Sequence, residues 1–246
     1  APENNGNGTN SGHVRVYEFD GSQWNQMGQD IDGEAMDDKR GTSVSLSSNG
    51  NIIAIGAPEN NGSQTNGTTA NCGHVRIYEY VGGTWVQLGQ DIDGEHNTDE
   101  SGHSVSLSSD GNTVAIGAPL NDATYYPNTG ENPGQVRVYN YDGSSWNQLG
   151  NDIDGEAIDD WSGWSVSLNG NADIVAIGAV GNDGNGQSSG HVRIYNYNGN
   201  SWIQLGQDID GVSNTNSGYS VSLSSDGNTV AIGAPGYAGF VRIYEY

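Results

Sequence analysis

Polar and apolar residues alternate one by one through Ser43-Val44-Ser45-Leu46-Ser47, and an apolar run, Ile52-Ile53-Ala54-Ile55-Gly56-Ala57, follows shortly after. Period-two alternation predicts a strand with one buried face, and a short apolar run bounded by turns predicts a strand buried on both faces. Two more runs complete the set. "HVRIYEY" from His74 is rich in β-branched and aromatic residues, and "WVQLGQDI" from Trp85 follows a Gly82-Gly83 turn. Asp110-Gly111 and Asp226-Gly227, each between a first and a second run, are tight-hairpin signals. No stretch keeps a helical period, so the chain reads as all-β.

These runs recur as a block. It starts at Gly12 and restarts at Gly73, Gly134 and Gly190, in steps of 61, 61 and 56 residues; a partial copy, "GFVRIYEY", begins 49 residues later at Gly239. Most of the variation falls in the loop between "IGAP" and the next "HVR". Four strands per block at this period predict a β-propeller of four-stranded antiparallel blades, built as one domain over residues 1–246. A stacked β array or solenoid is the competing architecture.

"GHSVSLSSDGNTVAIGAP" from Gly102 and "GHVRIYEY" from Gly73 are similar to the FG-GAP repeat, the blade unit of integrin alpha-subunit propellers and of many secreted adhesion proteins. The "GAP" stands at Gly56-Ala57-Pro58, Gly117-Ala118-Pro119 and Gly233-Ala234-Pro235, with Gly178-Ala179-Val180 as a variant; the "G-x-S-V" glycines are Gly41, Gly102, Gly163 and Gly218. The resemblance runs in register along nearly the whole chain. It implies a propeller, an extracellular or cell-surface location, a structural or adhesive role without catalysis, and protein or glycan partners on the loop-bearing face. Two departures matter. The family's Phe before the G-x-S-V glycine is replaced by Arg40, Ser101, Ser162 and Ser217, and its Asp-x-Asp-x-Asp-Gly calcium loop is absent, so its calcium sites do not carry over.

In the family's order the strands are A "SVSLS", B "VAIGA", C "HVRIYEY" and D "WVQLGQDI". The chain then reads C-D, three complete A-B-C-D blades, and A-B-C. The N-terminal D strand, Trp24 to Ile31, is expected to complete the last blade and close a four-bladed ring. One C strand is then surplus: His13–Phe19, with Val14, Val16 and Tyr17, or Phe240–Tyr246, with Val241, Ile243 and Tyr244. A free strand edge is a template for pairing. The surplus strand is expected either to stay free or to fill a blade of the next molecule, which repeated head to tail gives a filament; a chain that is an excerpt of a longer propeller is the other expectation. A monomeric lectin-like or protein-recognition module is the alternative function.

Charge narrows the partners. With 30 acids against 7 bases the net charge is −23, which repels duplex nucleic acid and anionic membrane. No apolar run reaches the 18 residues of a membrane-spanning helix. A single cysteine, Cys72, excludes an internal disulfide.

Candidate chemistry clusters at the ends of the D strands. "DIDG" recurs at Asp30, Asp32 and Glu34; Asp91, Asp93 and Glu95; Asp152, Asp154 and Glu156; and Asp208 and Asp210. Clustered carboxylates are ligands for a hard cation such as calcium. Recurrence in every repeat favours instead a turn that every repeat needs, and argues against a catalytic dyad, which a protein uses once. Five of the seven bases, Arg15, Arg76, Arg137, Arg193 and Arg242, share one slot of strand C and are expected to grip nearby carboxylates, such as the "DID" acids. Trp24, Trp85, Trp146 and Trp202 share one slot of strand D and are expected to pack between blades. The slot after the G-x-S-V glycine varies instead, as Thr42, His103, Trp164 and Tyr219. With Trp161 beside it, this slot is the candidate binding site for a sugar or peptide. Asn7, Asn61 and Asn66 head acceptor sequons for glycosylation.

Overall fold

The computed structural model describes residues 1–61, 71–122, 131–237 and 239–245, which contain strands and turns and no helix. The chain opens with two short strand pairs: β1 (His13–Val14) with β4 (Ile31–Asp32), and β2 (Tyr17–Phe19) with β3 (Trp24–Gln26). Three five-stranded antiparallel sheets follow. The first holds β5 (Ser43–Leu46), β6 (Ile52–Ala57), β7 (His74–Val81), β8 (Thr84–Gln87) and β9 (Ile92–Asp93). The second holds β10 (Ser104–Leu107), β11 (Thr113–Ala118), β12 (Gln135–Tyr141), β13 (Trp146–Gln148) and β14 (Ile153–Asp154). The third holds β15 (Ser162–Leu168), β16 (Ile174–Ala179), β17 (His191–Tyr197), β18 (Trp202–Gln204) and β19 (Ile209–Asp210). A three-stranded sheet, β20 (Ser220–Leu223), β21 (Thr229–Ala234) and β22 (Phe240–Glu245), ends the described chain.

The predicted single D strand is broken in two. In each full sheet both pieces pair with the same C strand, as β8 and β9 do with β7. The break falls at Gly28, Gly89, Gly150 and Gly206, all with φ between 67 and 79°. Glycine reaches this region without strain. It is also needed for space: a Cβ on Gly89 would lie 2.8 Å from the Trp146 indole of the next sheet.

Successive sheets stack face to face, and the core lies between them. Val14, Val16 and Ile31 pack on Ile53, Ile55 and Trp85; Ala54, Val75 and Ile77 pack with Val105, Leu107 and Trp146; the same layer recurs between the second and third sheets, and a smaller one joins Ala176 and Val192 to Val230 and Ile232. The alternation in "SVSLS" now has a physical reason. Valine and leucine face the preceding sheet, and the serines stitch to the next: Ser45 Oγ accepts from Leu107 N at 2.9 Å, and Ser43 Oγ donates to Gly102 O at 2.7 Å. Ser106 and Ser104 repeat both bonds one sheet further on. The "GAP" glycine permits the close approach, because a Cβ on Gly56 would sit 2.0 Å from Gly102 O.

One expectation is corrected. The N-terminal D strand does not complete the last sheet: β3 pairs with β2 in the register Tyr17↔Gln26, Glu18↔Asn25, Phe19↔Trp24. Among the described residues no strand pairing joins β1–β4 to β20–β22. A local hairpin wins because closing its short loop costs far less entropy than closing one of about 200 residues. Its turn is also held by the Asp20 carboxylate, which accepts from the backbone N–H of Ser22 (2.8 Å) and of Gln23 (2.9 Å).

Candidate functional site

The B–C and D–A loops meet at one end of each sheet, and a buried aspartate pins them. The Asp38 carboxylate accepts from the backbone N–H of Glu34 (3.0 Å) and Ala35 (2.8 Å) and from the Asn60 amide of the other loop (2.9 Å). Asp99 with Asn121, and Asp160 with Asn182, repeat the latch. Burial pushes the Asp99 carboxyl up against the hydrogen bonds that lower it. These three acids are 1–2% exposed, so they lie inside the loop end and add no charge to its surface. The sequence carried the signal: the aspartates and their asparagines both recur in steps of 61 residues, and Thr215 takes the aspartate's place in the last repeat.

The "DIDGE" acids divide into three roles. The first aspartate accepts a hydrogen bond from the strand-D glutamine of its own repeat: Gln26 to Asp30, Gln87 to Asp91 and Gln148 to Asp152 at 2.7 Å, and Gln204 to Asp208 at 2.6 Å. Arg15 adds a bidentate grip on Asp30, and Arg76 does so on Asp91. The Arg15 and Gln26 hydrogen bonds lower the Asp30 carboxyl to about 2. Burial opposes the same shift at Asp91, yet Arg76 and Gln87 leave it lowered. The second aspartate lies opposite the strand-C histidine slot, His13↔Asp32, His74↔Asp93, Gln135↔Asp154 and His191↔Asp210. At Asp154 burial raises the carboxyl, while Gln135 reaches it at 3.3 Å. The glutamate crosses to the next sheet. Glu34 pairs with Arg76, Glu95 with Arg137 at 3.5 Å and Glu156 with Arg193 at 3.1 Å.

This geometry bears on cation binding. His13, Asp30 and Asp32; Glu34, His74 and Asp91; Glu156, Asp160 and His191; and His191, Asp208 and Asp210 each bring ligand atoms within 4.8 Å of one another. In the first three groups a guanidinium already pairs with one of the acids, from Arg15, Arg76 and Arg193 respectively. The arrangement ties sheet to sheet with charges that the chain itself supplies.

The variable slot is brought together in part. The Trp164 ring lies 4.6 Å from His103, 6.1 Å from Trp161 and 5.7 Å from Tyr219, centroid to centroid. The Trp161 indole N–H is buried with no partner among the described residues. Thr42 stands outside this cluster and donates to Lys39 O at 2.8 Å. Arg40, in place of the family's Phe, is almost wholly buried, donates to the Tyr78 hydroxyl at 2.7 Å and lies 3.4 Å from His74 Nε2.

The sequons fare differently. The Asn7 amide donates to Gly33 O at 2.9 Å. Asn185, at the matching place of a loop without a sequon, donates to Gly211 O at 2.7 Å, so this asparagine has a structural job that a sequon does not explain. Asn61 is exposed and accepts from Asn71 N at 3.2 Å. Asn66 lies outside the described residues. Cys72 is buried, 1% exposed, and out of reach of an intermolecular bridge.

The two ends of the stack differ from its middle. Val14 and Val16 are buried at 7 and 6%, packed on the first sheet, while Tyr17 is 46% exposed. At the far end Val241, Ile243 and Tyr244 are 69, 71 and 36% exposed, and among the described residues β22 has no neighbour on its outer edge. Trp24 is 68% exposed, whereas Trp85, Trp146 and Trp202 are 3–5% exposed. No family model matches the chain, and no curated protein matches its sequence.

Proposed function

We propose that this chain is an extracellular structural or adhesive subunit, an FG-GAP-like propeller series whose copies join head to tail into a filament. The observation that carries the reading is the pair of exposed outer faces. Among the described residues Trp24 at one end and Val241 at the other are open, whereas their counterparts Trp85, Trp146 and Trp202, and Val75, Val136 and Val192, are buried at every joint between full sheets. A ring closed within one copy and a joint between copies use the same two edges, so each excludes the other. The residues with reactive side chains recur as inter-sheet ties, and this supports a role without catalysis. The acidic loop face is left for a protein or glycan partner, with calcium as the candidate cation.

Electron microscopy of the chain at physiological salt tests the reading. Regular fibrils whose length grows with concentration are expected. Isolated particles at every concentration overturn it. The net charge of −23 makes copies repel, so assembly should strengthen as salt shortens the screening length from about 30 Å at 0.01 M to about 8 Å at 0.15 M.

A second reading rests on the Trp164 cluster. Aromatic faces near an unpartnered indole N–H suit a sugar or a peptide. Trp164→Ala should then abolish glycan-array binding while leaving assembly intact; unchanged binding removes this reading.

A further inference from the structure

One inter-sheet joint is built three times, and a fourth is half built. The Trp85 indole lies over Gly28 and donates to Met27 O at 2.8 Å; the Gln29 side chain brackets its backbone, accepting from Trp85 N (3.1 Å) and donating to Trp85 O (2.9 Å). Trp146 repeats this on Gly89, Leu88 and Gln90. Trp202 does so on Gly150 and Leu149, where Asn151 stands in place of the glutamine. At Gly206 a Cβ would meet nothing within 4 Å. A cavity of about 160 Å³ opens there instead, lined by Ile194, Leu205, Gly206, Gln207, Val230 and Tyr244 among others. At the opposite end of the stack Trp24 holds the same slot of strand D, is 68% exposed and has no sheet in front of it among the described residues.

We propose that this cavity is the socket for Trp24 of a second copy, whose strands β1–β4 take the place of β22 beside β21. The inference rests on the assembly reading above and names its contact. The exchange conserves the ladder. Phe240-Val241-Arg242-Ile243-Tyr244 and His13-Val14-Arg15-Val16-Tyr17 carry the same spacing, so the pairings Val230↔Tyr244 and Ala231↔Ile243 are remade as Val230↔Tyr17 and Ala231↔Val16. Tyr17 replaces Tyr244 in the socket wall, Leu205 O accepts from the Trp24 indole, and the Gln207 amide brackets its backbone as Gln29 and Gln90 do theirs.

The two C strands compete for one place, and β22 is the weaker holder. Its Val241 and Ile243 lie open, and Arg242 stacks on Phe240 at 4.4 Å with no carboxylate partner among the described residues. The arriving strands keep Val14 and Val16 packed on their own first sheet and bring the Arg15–Asp30 pair, at 2.7 Å, ready made. The gain is the apolar surface still exposed on the second copy. Trp24 enters the socket, and Val44 and Leu46, 52 and 48% exposed, come against the sheet before them. Their counterparts Val105 and Leu107 are 9 and 7% exposed. The resulting contact is heterologous and propagates. The joint lacks one tie: Val212 stands where Glu34, Glu95 and Glu156 reach the next arginine.

Three variants of the chain test the socket, with sedimentation velocity as the readout. Trp24→Ala removes the plug and Leu205→Arg blocks the socket. Each alone should weaken self-association at least about 30-fold, the least expected of a buried aromatic anchor. An equimolar mixture should give a discrete heterodimer, because each partner supplies the feature the other lacks; this dimer also certifies that both variants fold. Ile243→Pro weakens β22 on β21 and should strengthen assembly. A mixture that stays monomeric while the unmodified chain assembles overturns the socket and leaves the assembly reading standing. Weaker assembly by Ile243→Pro overturns the displacement of β22. An unmodified chain that is monomeric at all concentrations overturns both.

Discussion

Replacing Trp146 by alanine and, separately, Trp24 by alanine places one residue type at two positions that differ only in having a sheet in front. Trp146 is 3% exposed and donates to Leu88 O at 2.8 Å. Burying about 200 Å² of indole at about 25 cal/mol per Å² is worth about 5 kcal/mol, near the top of the roughly 3–5 kcal/mol range for tryptophan-to-alanine changes in cores. Trp24 is 68% exposed and touches chiefly Phe19, at 5.4 Å between ring centroids, so about a third of that value, about 1.5 kcal/mol, is at stake. Urea unfolding followed by far-ultraviolet circular dichroism measures both, at protein concentrations low enough to keep copies apart. The expected losses are about 5 and about 1.5 kcal/mol. Equal losses would refute the reasoning, because the indole would then stabilise its own sheet and not the joint with its predecessor.

Three further outcomes follow from the ties between strands and loops. Burial, then the charges of Arg40 and Arg76, hold His74 down from 6.5 to about 4; the folded state binds fewer protons, so stability present above pH 6.5 is lost as pH falls toward 4, by up to about 3 kcal/mol. His74→Gln, which copies Gln135 of the second sheet, should flatten that slope in melts between pH 7 and 4, and an unchanged slope would assign it elsewhere. Arg76→Ala strips the partner from Asp91 and Glu34 and should cost about 2 kcal/mol in chemical denaturation, whereas Arg15→Ala, whose side chain is 44% exposed, should cost clearly less. Asp99→Ala leaves two backbone N–H groups and the Asn121 amide without their acceptor and should cost about 2–3 kcal/mol, with faster amide exchange at Glu95 and His96 as the local sign.

Much was legible before any coordinates. The alternation in "SVSLS", the Asp-Gly hairpins and the recurring block determined an all-β chain, the strand order within each sheet, and the arginine and tryptophan slots that tie strands together. Those features are local or periodic, and a periodic sequence repeats its contacts. What the tertiary structure decided is everything that depends on which neighbour is present. Trp24 and Trp146 occupy the same place in the repeat, yet one is open and the other buried. Asp38 is a buried latch although Asp37 beside it faces solvent. The N-terminal D strand takes its hairpin partner and not the distant last sheet. A repeat specifies a joint, but only the stacked sheets show where the joints end, because burial is a property of two surfaces meeting and a sequence position holds only one of them.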